Sequence, residues 1–269
     1  MSAATLNPAA PAHTSSSAAA LRHVGALTRR NLMRIKADPE SMIDALFVPI
    51  IFTLLFTYVF GGAVAGGQDQ YIQWLVPGLL GSTGLNLAMA VGTGLNSDFQ
   101  TGVMDRFRTL PIGRASVLLA KIAAELMRAL VSFTILIVFA MILGLKLTAG
   151  FLPLLAAVGL SLLFGTSIIW ISMLLGMAMR SAQAVQGVSM LVIMPLQFGS
   201  STFAPTDTMP GWLQAFTDYN PLSALADACR GLINGNAPIA HSVTVVLIWS
   251  VVVTAITAPL AVARFRKRT

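Results

Sequence analysis

Residues 147–179 have the sequence LTAGFLPLLAAVGLSLLFGTSIIWISMLLGMAM, which contains no Asp, Glu, Lys or Arg. A helix needs about 20 apolar residues to cross the hydrocarbon core of a bilayer, and this stretch is longer than that. The whole chain of 269 residues is 56% hydrophobic and 10% charged, whereas charged residues make up about 25% of an average soluble domain. The sequence therefore excludes an ordinary water-soluble fold and predicts a helical membrane protein.

Six uncharged windows of this kind divide the chain. They are residues 45–68, 70–97, 129–145, 147–179, 181–206 and 231–263. Five exceed the length of a spanning helix, whereas the window 129–145 reaches only about 25 Å, so that its helix must extend back past Arg128. We therefore predict an all-α fold with six transmembrane helices. Their approximate ranges are 43–60, 71–95, 123–145, 152–179, 184–203 and 239–262.

The basic residues are distributed unevenly among the predicted loops. The chain has 17 Lys and Arg and a net charge of +7. If both termini and every second loop lie on one side, all of these except Lys146 and Arg230 are on that side. By the positive-inside rule, that side is cytoplasmic. The charge pattern thus predicts a multi-pass protein with both termini in the cytoplasm, in contact with membrane lipids and not with nucleic acid.

The region before the first predicted span divides into two parts. Residues 1–19 are rich in Ser, Ala and Pro, and we predict a disordered tail because they can bury almost no apolar surface. In residues 20–38, Leu21, Val24 and Leu32 recur at helical spacing, with arginines on other faces. This pattern predicts an amphipathic helix in the cytoplasmic headgroups, and a solvated linker helix is the alternative. The six-helix domain then occupies residues 39–269.

The second predicted helix is rich in small residues, which allow another helix backbone to approach closely. They are Gly78, Gly81, Gly84, Ala88 and Gly92. We interpret this face as a helix-packing surface.

No motif for catalysis is present in the sequence. There is no GxxxxGK[ST] phosphate loop and no GxGxxG, and His13, His23 and His241 are too dispersed for a metal site. The single cysteine, Cys229, excludes an intrachain disulfide. We therefore expect no catalytic residue, no metal and no cofactor in this chain.

The predicted spans also lack a source of driving energy. No ionisable residue lies near the midpoint of any predicted helix, whereas carriers driven by an ion gradient need such groups at depth. The energy is therefore expected from a partner protein. Candidates for a route through the spans are polar or aromatic residues of apolar helices, with mere helix packing as the alternative. These residues are Phe52, Phe56, Asn86, Asn96, Gln197 and Phe198.

The cytoplasmic segment from Asp98 to Lys121 is the best candidate for contact with that partner. In a helix its apolar residues form one stripe, made of Phe99, Val103, Phe107 and Leu110. Pro111 ends the segment. Such a helix can bury its apolar edge in a groove of a soluble protein and use its charges for register. The alternative is an interfacial helix that lies on lipid.

About 35 residues remain outside between the fifth and sixth predicted spans. Proline residues divide them, and an apolar stripe near their end comprises Leu222, Leu225, Cys229 and Leu232. Asp227 and Arg230 are three residues apart in the same stretch. The pattern predicts a short amphipathic helix that dips into the outer leaflet, with its backbone hydrogen bonds satisfied internally.

Three stretches of the chain resemble the ABC type-2 exporter permeases, particularly the daunorubicin and doxorubicin resistance branch. They are ADPESMIDALFVPIIFTLLFTYVFGG (37–62), DFQTGVMDRFRTLPIGRASVLLAK (98–121) and STFAPTDTMPGWLQAFTDYNPLSALADACRGLINGN (201–236). The stretches are spread over most of the chain, and their order matches that of the family.

The resemblance implies the transmembrane domain of a type-2 ABC exporter (type V). Its features are an N-terminal amphipathic interfacial helix, a cytoplasmic coupling helix between spans 2 and 3, and an extracellular re-entrant hairpin before span 6. The matching coupling residues are Asp98, Asp105, Arg106, Phe107, Arg108 and Pro111. The matching hairpin residues are Asn220, Pro221, Asp227 and Arg230.

The resemblance also implies partners and a location. Two such domains, identical or related, form a dimer in the bacterial cell membrane and bind two ATP-binding cassette subunits, which carry ATP and Mg. The chain is then not an enzyme by itself but the permease subunit of an ATP-driven exporter. Its expected substrate is a hydrophobic or amphiphilic drug, antibiotic or lipid-like molecule. The alternatives are export of polysaccharide or teichoic acid precursors, disfavoured by 8% aromatic residues, and a non-transporting membrane scaffold.

Overall fold

The structure is a computed structural model that describes residues 39–104, 114–235 and 238–268, together with Gly25, residues 27–29, Asn31 and Met33. Within this part of the chain every regular element is a helix, as predicted. The α-helices are α1 (Pro39–Ala65), α2 (Gln68–Gln100), α3 (Arg114–Ile142), α4 (Phe151–Ala178), α5 (Ala182–Phe198), α6 (Gly211–Tyr219), α7 (Pro221–Asn234) and α8 (Ala240–Arg268). A 3₁₀ turn, Thr206–Thr208, lies between α5 and α6.

The helices form over the uncharged windows, but some boundaries differ from the predicted ones. The first helix passes Gly61 and Gly62, where we predicted its end, and stops at Ala65 before Gly66, whose φ of 71° ends helical geometry. The largest difference is in α3, which begins at Arg114 and not near residue 123. The predicted helix contained Glu125 and Arg128 but began after Lys121, whereas the ion pair of Lys121 described below allows the helix to include that residue as well.

Four helical segments are long and apolar enough to cross a membrane. They are Gln68–Gln100, Ala115–Ile142, Phe151–Ala178 and Ala240–Lys267. Two shorter apolar segments, Phe47–Gly62 and Ala182–Phe198, lie in α1 and α5. A helix of 17 residues extends only about 25 Å, whereas the hydrocarbon core is about 30 Å thick. Within the described residues, four segments are therefore spans of full length and α5 is shorter, whereas Phe47–Gly62 is the apolar part of α1, a helix of 27 residues.

The second helix, α2, lies at the centre of the bundle and packs against α1, α3, α4, α5 and α7. A Cβ atom added to Gly92 would overlap the carbonyl oxygen of Ser172, and one added to Gly176 would overlap that of Gly92. The two backbones of α2 and α4 are therefore in direct contact. Nearer its start, Gly81 leaves room for two leucines of α7, Leu222 and Leu225. The predicted use of small residues for helix packing is confirmed.

The outer helices of the bundle leave apolar faces uncovered. Of the most apolar window of the last helix, α8, 17% is buried, against 83% for α2. In α5, Leu191 and Val192 are exposed. Because lipid tails are as apolar as these side chains, such faces suit contact with lipid or with another membrane subunit.

The N-terminal region is described at few positions. The described residues between Gly25 and Met33 are helical, and Leu27 is buried in the main hydrophobic core. The division into a tail of residues 1–19 and an amphipathic helix of residues 20–38 stays a prediction, because most of these residues lie outside the described ones.

Candidate functional site

The segment of residues 199–235, here called the hairpin, contains α6 and α7. Asn220 connects these two helices and is almost fully buried. Its side-chain oxygen accepts a hydrogen bond from the backbone N–H of Leu222 and so caps α7, with Pro221 in the first turn. Its amide donates to the carbonyl oxygens of Leu196 (2.7 Å) and Gly199 (3.0 Å). Asn220 thus fixes the turn of the hairpin to the end of α5.

The apolar stripe predicted for this stretch faces the protein. Leu222, Leu225 and Cys229 have no exposed surface, and Leu232 is partly buried against the same core. The sulfur of Cys229 lies 3.5 Å from the hydroxyl oxygen of Ser161 in α4. Burial raises the pKa of this thiol to about 11, so that Cys229 is a protonated packing residue at neutral pH.

One buried guanidinium, that of Arg230, joins the hairpin to α2. Its Nη1 donates to the carboxylate of Asp227 (2.7 Å) and to the hydroxyl of Ser201 (3.1 Å). Its Nη2 donates to the carbonyl oxygens of Ser201 (2.6 Å) and Thr202 (3.2 Å), and its Nε donates to the carbonyl of Trp74 (3.0 Å). The guanidinium also lies 3.7 Å from the centroid of the Trp74 ring.

Arg230 remains charged despite its burial. Loss of solvation lowers the pKa of its guanidinium to about 10, and the carboxylate of Asp227 opposes that change. Because its donors are occupied by backbone carbonyls and by Asp227, Arg230 organises the hairpin and offers little for an external ligand. The sequence indicated only the pairing of Asp227 with Arg230; Trp74, Ser201 and Thr202 are distant in sequence and gave no signal.

Two further side chains of α2 bind the start of the hairpin. The hydroxyl of Tyr71 donates to the carbonyl of Phe203 (2.8 Å), and the indole N–H of Trp74 donates to the carbonyl of Ser201 (3.2 Å). The sequence gives no indication of either contact, because both acceptors are main-chain carbonyls more than 120 residues away. Together with Arg230 they satisfy the carbonyls of residues 201–203, which no regular helix would otherwise satisfy.

At the other end of α2, Asp98 forms an ion pair with Lys121 of α3. The carboxylate side chain of Asp98 is 3% exposed and the ammonium side chain is 18% exposed. The pair connects the last turn of α2 to α3 on either side of the predicted coupling segment. Asp105, Arg106, Phe107, Arg108 and Pro111 lie outside the described residues, and their assignment to that segment stays a prediction.

Asn96 and Gln100 lie beside this ion pair and bind the end of α4. The amide of Asn96 donates to the carbonyl oxygens of Gly176 (2.8 Å) and Met179 (2.9 Å). Gln100 donates to the side-chain oxygen of Asn96 and to the carbonyl of Arg180. Carbonyls at a helix C-terminus have no partner within the helix, so Asn96, predicted for a substrate route, acts here as a cap supplied by a neighbouring helix.

Three of the predicted route residues meet in one aromatic cluster. Phe56 stacks on Phe52 (5.8 Å between ring centroids) and on Phe203 (4.6 Å), and Phe203 stacks on Phe198 (5.3 Å). Phe60 extends the cluster along α1. Phe198 is 50% exposed, so that the cluster presents an aromatic surface at the junction of α1, α5 and the hairpin.

The remaining route candidates lie apart from these rings. Gln197 is buried next to Phe198, and Asn86 is exposed on α2. Gly78 of α2 packs against Thr202 at the level of the cluster. Asn86 is therefore about 12 Å and Asn96 about 27 Å further along the helix. The assignment of all six residues to a substrate route stays a prediction.

An ion pair within α3 was missed by the sequence analysis. Both Nε and Nη2 of Arg128 donate to one oxygen of Glu125, at 2.9 Å and 2.6 Å. Arg128 is at the middle of Arg114–Ile142, so the expectation that every helix midpoint is free of ionisable groups is wrong for α3. Pairing within one turn neutralises both charges, as burial requires. The described residues include no group of three or more His, Cys, Asp or Glu that could hold a metal.

These features define a multi-pass helical membrane protein in which the buried side chain of Arg230 binds one hairpin to α2. The chain belongs to the ABC-2 type transporter family, whose model matches residues 22–234. It is 36% identical over 258 residues to the daunorubicin resistance ABC transporter permease protein DrrB1 of Streptomyces coeruleorubidus, with 96% of this chain and 89% of that protein covered.

More distant relatives have related names. The chain is 28% identical over 246 residues to the probable doxorubicin resistance ABC transporter permease protein DrrC of Mycobacterium tuberculosis, covering 90% of this chain and 88% of the relative. It is 25% identical over 210 residues to the putative transport permease ycf38 of Cyanophora paradoxa, covering 77% and 72%. The likeness to permease subunits therefore extends over nearly the whole chain.

Proposed function

We propose that this chain is the membrane subunit of an ATP-driven exporter that moves a hydrophobic or amphiphilic molecule, of the kind of an anthracycline drug, out of the cell. The observation that carries the proposal is the full-length similarity to a permease named for daunorubicin resistance. The bundle fits this role because its described spans are apolar and its buried charges are paired.

The proposed arrangement has six spans in the bacterial cell membrane, with α5 as the shortest and both termini in the cytoplasm. The distribution of Lys and Arg supports this orientation, because only Lys146 and Arg230 lie on the outer side. Two such chains, identical or related, form the membrane part, and two separate ATP-binding cassette subunits hold ATP and Mg. This chain itself then has no catalytic residue.

The segment between Asp98 and Lys121 is the proposed contact with the ATP-binding subunit. The ion pair of these two residues ties both ends of the segment to the bundle. A displacement of the segment is then passed to α2 and α3 together. Asn96 and Gln100 extend the connection from α2 to the end of α4. The hairpin at the other end of α2 moves with that helix because Arg230 binds it there.

The aromatic cluster is the proposed contact with the cargo. Planar aromatic molecules stack on phenylalanine rings with centroid separations of about 4.5–7 Å. The exposed face of Phe198 is open to such stacking, and Phe203 connects it to the rings of α1.

The test is doxorubicin uptake into inside-out vesicles that contain this chain and an ATP-binding cassette subunit from the same genome. Uptake is expected to require both chains and ATP. The double variant Asp105→Lys/Arg108→Glu should lose both partner binding and uptake, because like charges then face each other across the contact. The control reverses two charges elsewhere, Lys146→Glu/Asp207→Lys, at exposed positions of other loops.

Three results would overturn parts of this proposal. Uphill uptake by this chain alone would show that transport does not need a partner protein as its energy source. Unchanged binding and uptake in the Asp105/Arg108 double variant would remove the segment from the mechanism. Binding of the ATPase without any ATP-dependent uptake would favour the scaffold alternative.

A further inference from the structure

A cavity of about 880 Å³ lies between α4, α5 and α8. Its size is within the range of about 300–1,000 Å³ that is typical of small-molecule sites. The wall is almost entirely apolar, and Leu85 of α2 contributes to its back. The residues that set its character are Ile168, Leu175, Val192, Trp249, Arg264 and Lys267. This cavity is separate from the aromatic cluster, whose rings do not line it.

The cavity is elongated along α8. Its lining extends from Trp249 to Arg264 and Lys267, and 15 residues of helix correspond to about 22 Å. One leaflet of the hydrocarbon core is about 15 Å thick. The cavity is therefore long enough to accommodate an acyl chain that extends from the headgroup level to the middle of the bilayer.

Charge is present at one end of the cavity only. Arg264 and Lys267 are three residues apart on α8 and line the cavity beside Leu260 and Ala263. No Asp or Glu is among its lining residues, and within the described ranges no acidic side chain forms an ion pair with either cation. Both cations are exposed, so a neutral or cationic amphiphile would gain no attraction from them. An anion with an attached apolar chain complements the two ends of the cavity.

We propose that this cavity binds an anionic phospholipid of the cytoplasmic leaflet. The phosphate contacts the guanidinium of Arg264 and the ammonium of Lys267, and an acyl chain lies along the apolar wall. A bidentate guanidinium suits a phosphate group. The lipid joins α5, which packs little against α4 and α8, to those two helices, which pack closely against each other. It is a resident lipid of the bundle, distinct from cargo at the aromatic cluster.

The experiment measures lipid retention by native mass spectrometry of the purified chain, loaded in detergent with phosphatidylglycerol or with phosphatidylcholine of the same acyl chains. Phosphatidylglycerol is expected to be retained more strongly. Each cation near the headgroup should contribute about fivefold, so that Arg264→Gln/Lys267→Gln should weaken retention about 30-fold. Arg180→Gln is the charge control, since Arg180 is exposed and does not line the cavity.

A second variant tests the apolar part of the site. Ala263→Trp keeps both cations but fills the cavity at an exposed position of α8. It should reduce phosphatidylglycerol retention as well, which simple attraction of anions to surface charge would not predict. Glycerol phosphate, which has the headgroup but no acyl chain, should fail to displace the lipid.

Several outcomes would overturn the proposal. Equal retention of the two lipids, or unchanged retention in the double variant, would show that the site does not recognise an anionic headgroup. Displacement by glycerol phosphate would make it a site for free phosphate. A dimer that carries no lipid beside a monomer that does would mean that a second copy of the chain covers the cavity. Doxorubicin uptake is not used as a readout, so that these results are independent of the proposed export function.

Discussion

The two ends of α2 are joined to their neighbours in different ways. At the N-terminal end, one guanidinium, that of Arg230, makes five hydrogen bonds and connects the helix to the hairpin through backbone carbonyls. At the C-terminal end, Asp98 pairs with Lys121 and Asn96 caps α4, each through one or two side-chain contacts. At the first end one residue makes most of the contacts, and Tyr71 and Trp74 add one hydrogen bond each, whereas the contacts at the second end are shared among several residues.

This difference indicates how the two ends serve the proposed mechanism. Removal of a buried charge that satisfies many groups leaves all of them unsatisfied at once. Removal of one contact among several leaves the others in place. The hairpin end should therefore behave as part of one rigid unit with α2, and the end near Asp98 should tolerate small changes of geometry.

Replacement of Arg230 should have the largest effect. Arg230→Met removes the donor to the carbonyl of Thr202 and one donor each to Asp227 and to the carbonyls of Trp74 and Ser201. Hydrogen bonds made by a charged group contribute about 1.5–3 kcal/mol each, so the loss of several should cost more than about 3 kcal/mol. Arg230→Lys keeps the charge but not the planar donors, so it should cost less than the methionine variant. Thermal unfolding in detergent measures both. An Arg230→Met variant as stable as the wild type would contradict the role of Arg230 as the main connection between the hairpin and α2.

Disruption of the contact between α2 and α4 should have the next largest effect on stability. Gly92→Ala introduces a Cβ atom that overlaps the carbonyl of Ser172, and overpacking of this kind costs about 1–3 kcal/mol. The matched control is Gly94→Ala two residues away, where no atom lies within 4 Å of the added Cβ. Because alanine favours helix, the control should be neutral or more stable by up to about 1 kcal/mol. Equal unfolding temperatures for the two variants would exclude a close backbone contact.

The ion pair at the C-terminal end should contribute less to stability. Asp98→Asn is expected to cost about 1–2 kcal/mol, because the amide retains a hydrogen-bonding oxygen and Lys121 can reach solvent. ATP-dependent uptake should fall by more than this loss of stability explains, since the segment between the two residues loses its anchor. The control is Asp69→Asn in the first turn of α2, where the carboxylate is exposed and the cost should be at most about 1 kcal/mol. Full uptake by Asp98→Asn would show that this anchor is dispensable.

Replacement of Phe198 in the aromatic cluster should weaken binding of the cargo by a similar free energy, which is measured through stimulation of the ATPase. Phe198→Ala removes one stacking surface, and an aromatic pair contributes about 0.5–1.5 kcal/mol beyond its buried area. The doxorubicin concentration for half-maximal stimulation of the ATPase should therefore rise about two- to tenfold. Phe47→Ala is the control, because Phe47 is exposed on α1 and makes none of the ring contacts of the cluster. An equal rise in both variants would indicate a general loss of apolar surface.

The smallest effect is expected at Cys229. Its thiol has no exposed surface and its pKa is raised to about 11 by burial. Maleimide labelling of the native protein should therefore be absent at pH 7 and should increase little up to pH 9, because the thiolate is the reactive form. Unfolding should restore labelling. Thr208→Cys in a Cys229→Ala background, at an exposed position of the hairpin, serves as the positive control; native labelling of Cys229 at pH 7 would mean that α7 does not pack as described.

Sequence reasoning identified the elements of the candidate site better than their contacts. The apolar stripe of α7 and the proximity of Asp227 to Arg230 followed from helical spacing, which is local. The carbonyls of Ser201 and Thr202 that Arg230 binds gave no signal, because main-chain acceptors are the same at every residue. The role of Asn96 as a cap for α4 was also beyond sequence reasoning, since it depends on how far α4 extends along α2.

The error in α3 has a related cause. The predicted helix, residues 123–145, contained Glu125 and Arg128 near its start but excluded Lys121 and the residues before it. In the folded chain each of these charges has a partner, Asp98 for the first and an intrahelical pair for the other two. A helix can include ionisable residues at the cost of pairing them, and a window that counts only charge does not detect the pairs.

The sequence by itself determined the helical membrane class, the family and the positions of the apolar segments, because these depend on composition and on spacing along one chain. The tertiary structure alone decided that Arg230 binds the hairpin to α2, that Phe203 connects Phe56 to Phe198, and that α4, α5 and α8 line an open cavity with two cations at one end. Such features arise from contacts between residues tens of positions apart, whose geometry exists only after the helices have packed.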